Sequence, residues 1–421
     1  MKSERREAMG WSRIALLLLV LVDVMGQGLI FPIVNSLVMV PGSTFVPLGD
    51  SLAIREIDFS LLTGAFYISW FFGGAYISKL SDYIGRKKAI LICLFGALFG
   101  YGLAVVAVIW SNLALLVLAR AITGFAAGNQ PIAQAALVDL STTSAERNRN
   151  MGYVTAAIAL GLIIGPLFAG TLSDPSIMGG YASLELPFYA ALMLILINIV
   201  LIIIFFEETN QTRRKIDFGL SEVFLVLWRA HSRPTILKLC AVFLFIEVGL
   251  SAFYIYLNNY MVLRFGFDTL QNSILMIIFG SVLALVSALL VGPISQRFSK
   301  VATIVVSVTV MGVGLLAFTV NDVAWLSYLL TVPIVAAFAL TLPLMFSLFS
   351  AAVDESEQGW IMGITISSST GGQFLLAIAG ASLMTANIHG VFIAGIACFA
   401  IALGLIFVLW RQPDIRALDY G

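Results

Sequence analysis

The sequence predicts an all-α integral membrane protein whose twelve transmembrane helices form two six-helix bundles. Three observations carry that expectation. Of 421 residues, 60% are hydrophobic and only 11% are charged, with a mean hydropathy of +1.01, a composition that does not describe a soluble globular chain. The apolar residues gather into twelve runs, each close to the roughly 20 residues that cross about 30 Å of hydrocarbon as a helix. The longest polar interruption, from Glu207 to Lys238, divides six runs from six.

In order, the runs are 12–37, 59–77, 89–110, 113–138, 151–172, 186–206, 236–257, 273–291, 301–320, 324–350, 361–385 and 388–410. The first is long, continues into Pro32 and lacks a small-residue cleavage site, so it reads as a retained span. Positive charge sets the orientation. With the amino terminus inside, 20 of the 23 Lys and Arg residues are cytoplasmic, leaving Arg55 and Arg264 outside and Arg120 within a span. Both termini are therefore expected in the cytoplasm, with the chain threaded repeatedly through the inner (plasma) membrane. Six-helix bundles are expected over 1–208 and 236–421. The cytoplasmic linker 209–235 between them carries a short amphipathic piece from Phe218 to Trp228.

Other classes find little support. A net charge of zero and a pI near 6.7 give no electrostatic case for nucleic acid. Cys93, Cys240 and Cys398 sit far apart inside apolar runs, a pattern of packing residues and not of disulfides or metal ligands. The chain has no HExxH, no GxSxG and no phosphate loop, and its only histidines are His231 and His389, so neither an enzyme nor a cofactor nor ATP binding is expected. The expected partners are a small-molecule substrate, protons and the lipid bilayer. A self-contained pair of bundles predicts a monomer.

The two halves repeat one pattern. The segment from Ser78 to Arg86 after the second run is matched by Gly292 to Lys300 after the eighth, with Asp82 become Gln296, Gly85 become Ser299 and Arg86 become Lys300. Met151, Gly152 and Gly161 in the fifth run are matched at the same spacing by Met362, Gly363 and Gly372 in the eleventh. Repeated six-helix halves place a binding site at their interface near the midplane.

Three ionisable residues lie inside the spans. A charge at the centre of a membrane helix costs roughly 2.5–3.5 kcal/mol on insertion scales, so each calls for a function or a partner. Asp23 stands in the first run with Gln27 one turn on, below Gly26, Gly28 and Pro32. Arg120 opens a stretch with Gly124 and Gly128, whose four-residue spacing lets a neighbouring helix approach closely. Glu247 heads a polar stripe with Ser251, Tyr254 and Asn258, spaced 4, 3 and 4 along one helical face. Arg120 and Glu247 also have structural alternatives, Arg120 as a tie to a backbone carbonyl or acid and Glu247 as its partner or as a helix-to-helix hydrogen bond. Gln130, Gln134 and Gln373 are weaker cavity candidates that suit hydrogen bonding between helices better.

In these features the chain resembles the major facilitator superfamily, and within it the twelve-span drug/proton antiporters that include the tetracycline exporters. Asp82, Gly85, Arg86 and Lys87 are similar to that superfamily's loop between spans two and three, departing from its usual form at Ser78 and Tyr83. The resemblance implies a cytoplasmic gate in which Arg86 bridges Asp82 to Asp139 at the end of span four. It implies a proton-coupling role for Arg120. It also identifies Gly161, Gly165, Pro166 and Gly170 with the Gly-Pro motif that marks antiporters. Pro166 removes a backbone donor and bends its helix, and Gly161 and Gly165 share a face expected to pack against the other half.

The resulting expectation is a secondary transporter that exports a small amphipathic organic molecule in exchange for protons, with Asp23 or Glu247 carrying the proton. Inward proton flow yields about 2.3 kcal/mol per charge per 100 mV, enough for a roughly fiftyfold gradient. The alternative on the same fold is a proton-coupled importer of a nutrient or of a metal chelate such as a siderophore.

Overall fold

The computed structural model describes residues 2–40, 43, 45, 50–141, 143–209, 232–354, 357–413, 415 and 418. Its elements among these residues are helical throughout. The first half contains α1 (Lys2–Val38), α2 (Leu52–Ile84), α3 (Arg86–Ile109), α4 (Leu113–Ala126), α5 (Gln130–Asp139), α6 (Ser144–Ser173), the short α7 (Pro175–Met178) and α8 (Leu186–Phe205). After the linker come α9 (Pro234–Phe265), α10 (Thr269–Leu289), the short α11 (Val291–Arg297), α12 (Lys300–Val320), α13 (Leu326–Ala351), α14 (Gln358–Ala386) and α15 (Gly390–Leu409). Among the described residues eleven segments are long and apolar enough to cross a membrane. The twelfth expected span, 361–385, lies inside α14. The amphipathic piece Phe218 to Trp228 falls outside the described residues.

Two boundaries differ from the sequence reading for physical reasons. The fourth span is not one helix: α4 ends at Ala126, a 3-10 turn covers Ala127–Asn129, and α5 restarts with Pro131 in its first turn. Proline suits a helix start because its missing N–H falls among donors left unpaired there. The second span begins at Leu52 and not near residue 59, so Arg55, Glu56 and Asp58 belong to helix where a polar loop was expected. Hydropathy registers the apolar run and passes over a helical extension in which Glu56 is buried.

The chain forms two compact units. One comprises Met1–Ser51, Leu61–Phe218 and Phe267–Ile277; the other comprises Leu52–Ser60, Gly219–Gly266 and Ile278–Gly421. The starts of α2 and α10 are thus exchanged relative to a simple division at the linker.

Small residues set the helix contacts of the first unit. A Cβ on Gly124 would collide with the Phe66 backbone, and one on Gly128 with the backbone of Gly73 and Gly74, so α4 and the turn after it approach α2 main chain to main chain. In α6, a Cβ on Gly161 would lie 2.7 Å from the Leu21 carbonyl oxygen, and one on Gly165 would meet the Met25 carbonyl and, at 2.8 Å, the Leu29 nitrogen. This corrects the expectation that Gly161 and Gly165 pack against the other half: they seat α6 on α1, in the same unit. Spacing reveals that two glycines share a face and carries no information on what that face meets. Gly28 leaves room in turn for the Pro166 ring, which a Cβ there would approach to 2.9 Å. Gly170 faces Ser273 of α10.

In the second unit α9 runs through the core. Phe253 packs edge-on against Phe318 at 5.2 Å between ring centroids, Tyr260 lies 4.6 Å from Phe392, and Gly249 admits the Phe399 ring. At the start of α9, Arg233 donates two hydrogen bonds to the Glu357 carboxylate, at 2.5 and 2.7 Å. The forked guanidinium matches both carboxylate oxygens and fixes the entry of α9 beside that of α14.

Candidate functional site

The 3-10 turn between α4 and α5 has a local consequence at the polar centre of the first unit. It places Asn129, fully buried, so that its side-chain amide donates to Asp23 Oδ1 at 3.4 Å. Asp23 Oδ2 is buried with no hydrogen-bond partner among the described residues. Asn129 was missed in the sequence, although an asparagine between Gly128 and Gln130 in an apolar run was a usable signal. The Tyr101 hydroxyl fills the space that a side chain on Gly26 would take. Arg120 is 4% exposed and stands 4.1 Å from the centroid of the Phe66 ring, a cation–π contact within a low-dielectric environment. Phe66 in turn packs on Tyr67 and Trp70. The polar features of this centre are thus the Asp23–Asn129 pair, the Tyr101 hydroxyl at Gly26, and Arg120 against the aromatic group of Phe66, Tyr67 and Trp70. Gln27, Gln130 and Gln134 are each partly exposed along α1 and α5.

The second unit has its own centre. Glu247 is 3% exposed and its Oε2 accepts from the Ser369 hydroxyl of α14 at 2.6 Å, while Oε1 has no partner among the described residues. Along the same stripe Ser251 is buried, and Tyr254 packs on Phe279 at 5.2 Å. Asn258 is fully buried with neither its amide nitrogen nor its carbonyl oxygen paired among the described residues. Buried amides are nearly always hydrogen-bonded. Gln373 lies one turn beyond Ser369 on α14, with its own oxygen unpaired among the described residues. Ser369 was not singled out in the sequence, because one more serine in the run Ser367 to Thr370 carries no distinguishing pattern.

A third polar group surrounds the α2–α3 turn. Gly85 has φ +101°, a conformation that L side chains rarely adopt, and a Cβ there would also strike the Glu208 carboxylate. That tight turn releases Arg86 to donate from Nε to Asp139 Oδ2 at 2.6 Å, with Asp82 3.8 Å from its Nη1. Glu208 accepts from the backbone N–H groups of Arg86 and Lys87 at 2.9 and 3.2 Å. It caps α3 with negative charge at the positive end of the helix dipole. Thr209 donates to the same Asp139 oxygen at 3.1 Å. Glu208 and Thr209 were read as the border of the linker, since a capping partner more than a hundred residues away leaves no local trace.

The residues 16–320 match the family model described as Major Facilitator Superfamily. The chain belongs to that superfamily. It is a transporter that crosses the membrane repeatedly. It is 26% identical to the Escherichia coli protein named "Tetracycline resistance protein, class C", over 87% of this chain and 89% of that one. It is 24% identical to "Multidrug resistance protein 2" of Bacillus subtilis, over 96% of this chain and 97% of that one. The solved structure of a D-xylose-proton symporter superposes with a TM-score of 0.76 at 15% identity, covering 96% of this chain and 98% of the other, which is a likeness of fold alone.

Proposed function

We propose that this superfamily transporter is a proton-coupled exporter of a small amphipathic organic molecule, working by alternating access in the plasma membrane with both termini cytoplasmic. One observation supports it above the rest. Among the described residues, Asp23 is a carboxyl within an apolar helix that accepts from an asparagine amide on one oxygen and has no partner on the other. A structural acid at that depth would be paired with a cation; an acid that loads and unloads protons must be left without a permanent one. The aromatic wall beside Arg120 suits an organic substrate with an apolar body and a polar end. The names of its tetracycline and multidrug resistance relatives point toward expulsion.

In this reading Asp23, Arg120 and Glu247 carry the coupling, and Gln27, Ser251, Tyr254, Asn258 and Gln373 meet the substrate. The six-helix halves 1–208 and 236–421 move as bodies, and Asp82, Gly85, Arg86 and Asp139 form the cytoplasmic gate. The experiment is a ligand screen by thermal shift on purified protein, followed by transport of each hit into proteoliposomes with an imposed pH gradient. An exporter accumulates the hit in vesicles of inverted orientation with an acidic interior. Accumulation in right-side-out vesicles driven by an acidic exterior would instead make the protein an importer.

The gate makes a separate prediction. Arg86→Ala leaves Asp139 and Asp82 without the guanidinium that joins them at the α2–α3 turn. The variant is expected to favour inward-facing states and to lose turnover more than substrate affinity. Labelling of single cysteines at Gln27 and Gln373 from each side of the membrane measures this. Unchanged labelling on both faces would remove Arg86 from the gate.

A further inference from the structure

A third buried acid, used by neither the polar clusters nor the gate described above, sits at the start of α2. Glu56 is 0% exposed. Its Oε2 accepts from the Asn259 amide of α9 at 2.9 Å, while its Oε1 has no partner among the described residues. The carbonyl oxygen of Asn259, the other half of that amide, is likewise buried and unpaired among the described residues. Two acceptors thus stand without a donor on the two members of one pair. A single proton on Oε1 turns the first of them into a donor and gives the second a group to accept from, so that carboxylic acid and carboxamide become complementary.

Glu56 and Asn259 both belong to the second unit. Residues Leu52–Ser60 cluster with the second unit and the rest of α2 with the first, along one uninterrupted helix. What fastens that start is short and specific. Ser60 and Tyr256 hydroxyls are 3.2 Å apart, Tyr256 donates onward to the Ala377 carbonyl at 2.9 Å, and Phe59 packs on the Tyr256 ring at 5.4 Å. Gly380 of α14 leaves room for that ring. The repeat-related helix α10 is exchanged in the same sense: its start clusters with the first unit, where the Thr269 and Ser36 hydroxyls are 2.5 Å apart.

We propose that Glu56 is a proton-carrying gate residue, holding the start of α2 in the second unit as the neutral acid and releasing it when the carboxyl loses its proton to water. The O–H bond of the acid breaks, the proton passes to a water molecule, and the carboxylate left behind is stable only once hydrated, which requires the helix start to leave Asn259. The surrounding charges permit this. Arg55 and Asp58 stand beside Glu56 on the same helix, and the Tyr256 hydroxyl of α9 meets that helix one turn on, at Ser60. Arg264, further along α9, is paired with Asp322. Helix α14 has no charged residue along its length.

The inference rests on the alternating-access reading above, and its test needs neither a substrate nor a direction of transport, so a failed export assay leaves it standing or falling by itself. Spin labels at Ile57→Cys and Ala386→Cys, with the three native cysteines replaced, report the separation of the α2 start from α14 by double electron–electron resonance in lipid nanodiscs. In the otherwise wild-type protein a longer-distance population should grow as pH is raised. In Glu56→Gln, which has no proton to lose, the short distance should persist at every pH. Asn259→Asp sets a second carboxyl beside the first, and two acids sharing a proton release it less readily, so its midpoint should move to higher pH by about one unit or more. A Glu56→Gln protein that opens with the wild-type pH dependence overturns the proposal. So does an Asn259→Asp midpoint that does not move, or a wild-type distance indifferent to pH.

Discussion

Asp23→Asn is expected to abolish proton-driven transport while the protein still folds, inserts and binds substrate. The amide has nearly the carboxyl's shape and leaves Asn129 with a partner, since amide can meet amide where amide met carboxylate. The effect on stability should therefore stay within about 1 kcal/mol, small beside the consequences of a core deletion. What the amide cannot do is ionise, so no proton can be exchanged at this position. Substrate flux driven by a pH gradient should fall to the level of empty vesicles. Exchange of substrate for substrate, which moves no net proton, should continue. The measurement is the pair of assays on the same proteoliposomes. A variant that keeps gradient-driven flux at the wild-type rate and still moves protons in step would show that the coupling acid lies elsewhere.

Asn129→Leu separates this from a simple loss of polarity. It removes the donor and keeps the acid, so coupling should survive with an altered pH profile. If both variants failed alike, the cluster would be acting as a structural tie.

The membrane class and the apolar helices that carry Asp23, Arg120 and Glu247 were legible in the sequence. The hydrophobic effect writes them into composition and run length, and a charge inside an apolar run is visible without any coordinates. What escaped was pairing at a distance. Asn129 is aimed at Asp23 by a 3-10 turn that the continuous apolar run conceals. Glu56 was counted with a loop because the charged cluster of Arg55, Glu56 and Asp58 lowers the local hydropathy, although α2 has already begun there. Its partner Asn259 stands more than two hundred residues away. Glu208 caps α3 across a similar separation. The misassigned contact of Gly161 and Gly165 has the same origin: a helical period orders residues around an axis and leaves open which neighbour comes to that side.

Glu247→Gln should report the charge of the substrate. The carboxyl is held to α14 by the Ser369 hydroxyl through Oε2, and Oε1 is left for another group. A cationic substrate would make its charge-assisted contact there, and hydrogen bonds to charged groups contribute about 1.5–3 kcal/mol. On that account the glutamine variant should bind a cationic substrate about tenfold or more weakly, since 1.4 kcal/mol is one decade. Wild-type affinity should also rise with pH as protons cease to compete for the carboxylate, and that dependence should vanish in the variant. For a neutral or anionic substrate the same change should leave affinity nearly untouched and disturb only the number of protons moved per cycle. Binding measured at two pH values, for wild type and variant, separates the two cases. Ser369→Ala adds a control, because it frees Oε2 without altering charge and should strengthen competition by protons while preserving the preference for cations. Identical affinity and pH dependence in all three proteins would reduce Glu247 to a tie between α9 and α14, and would leave Asp23 as the acid on which exchange depends.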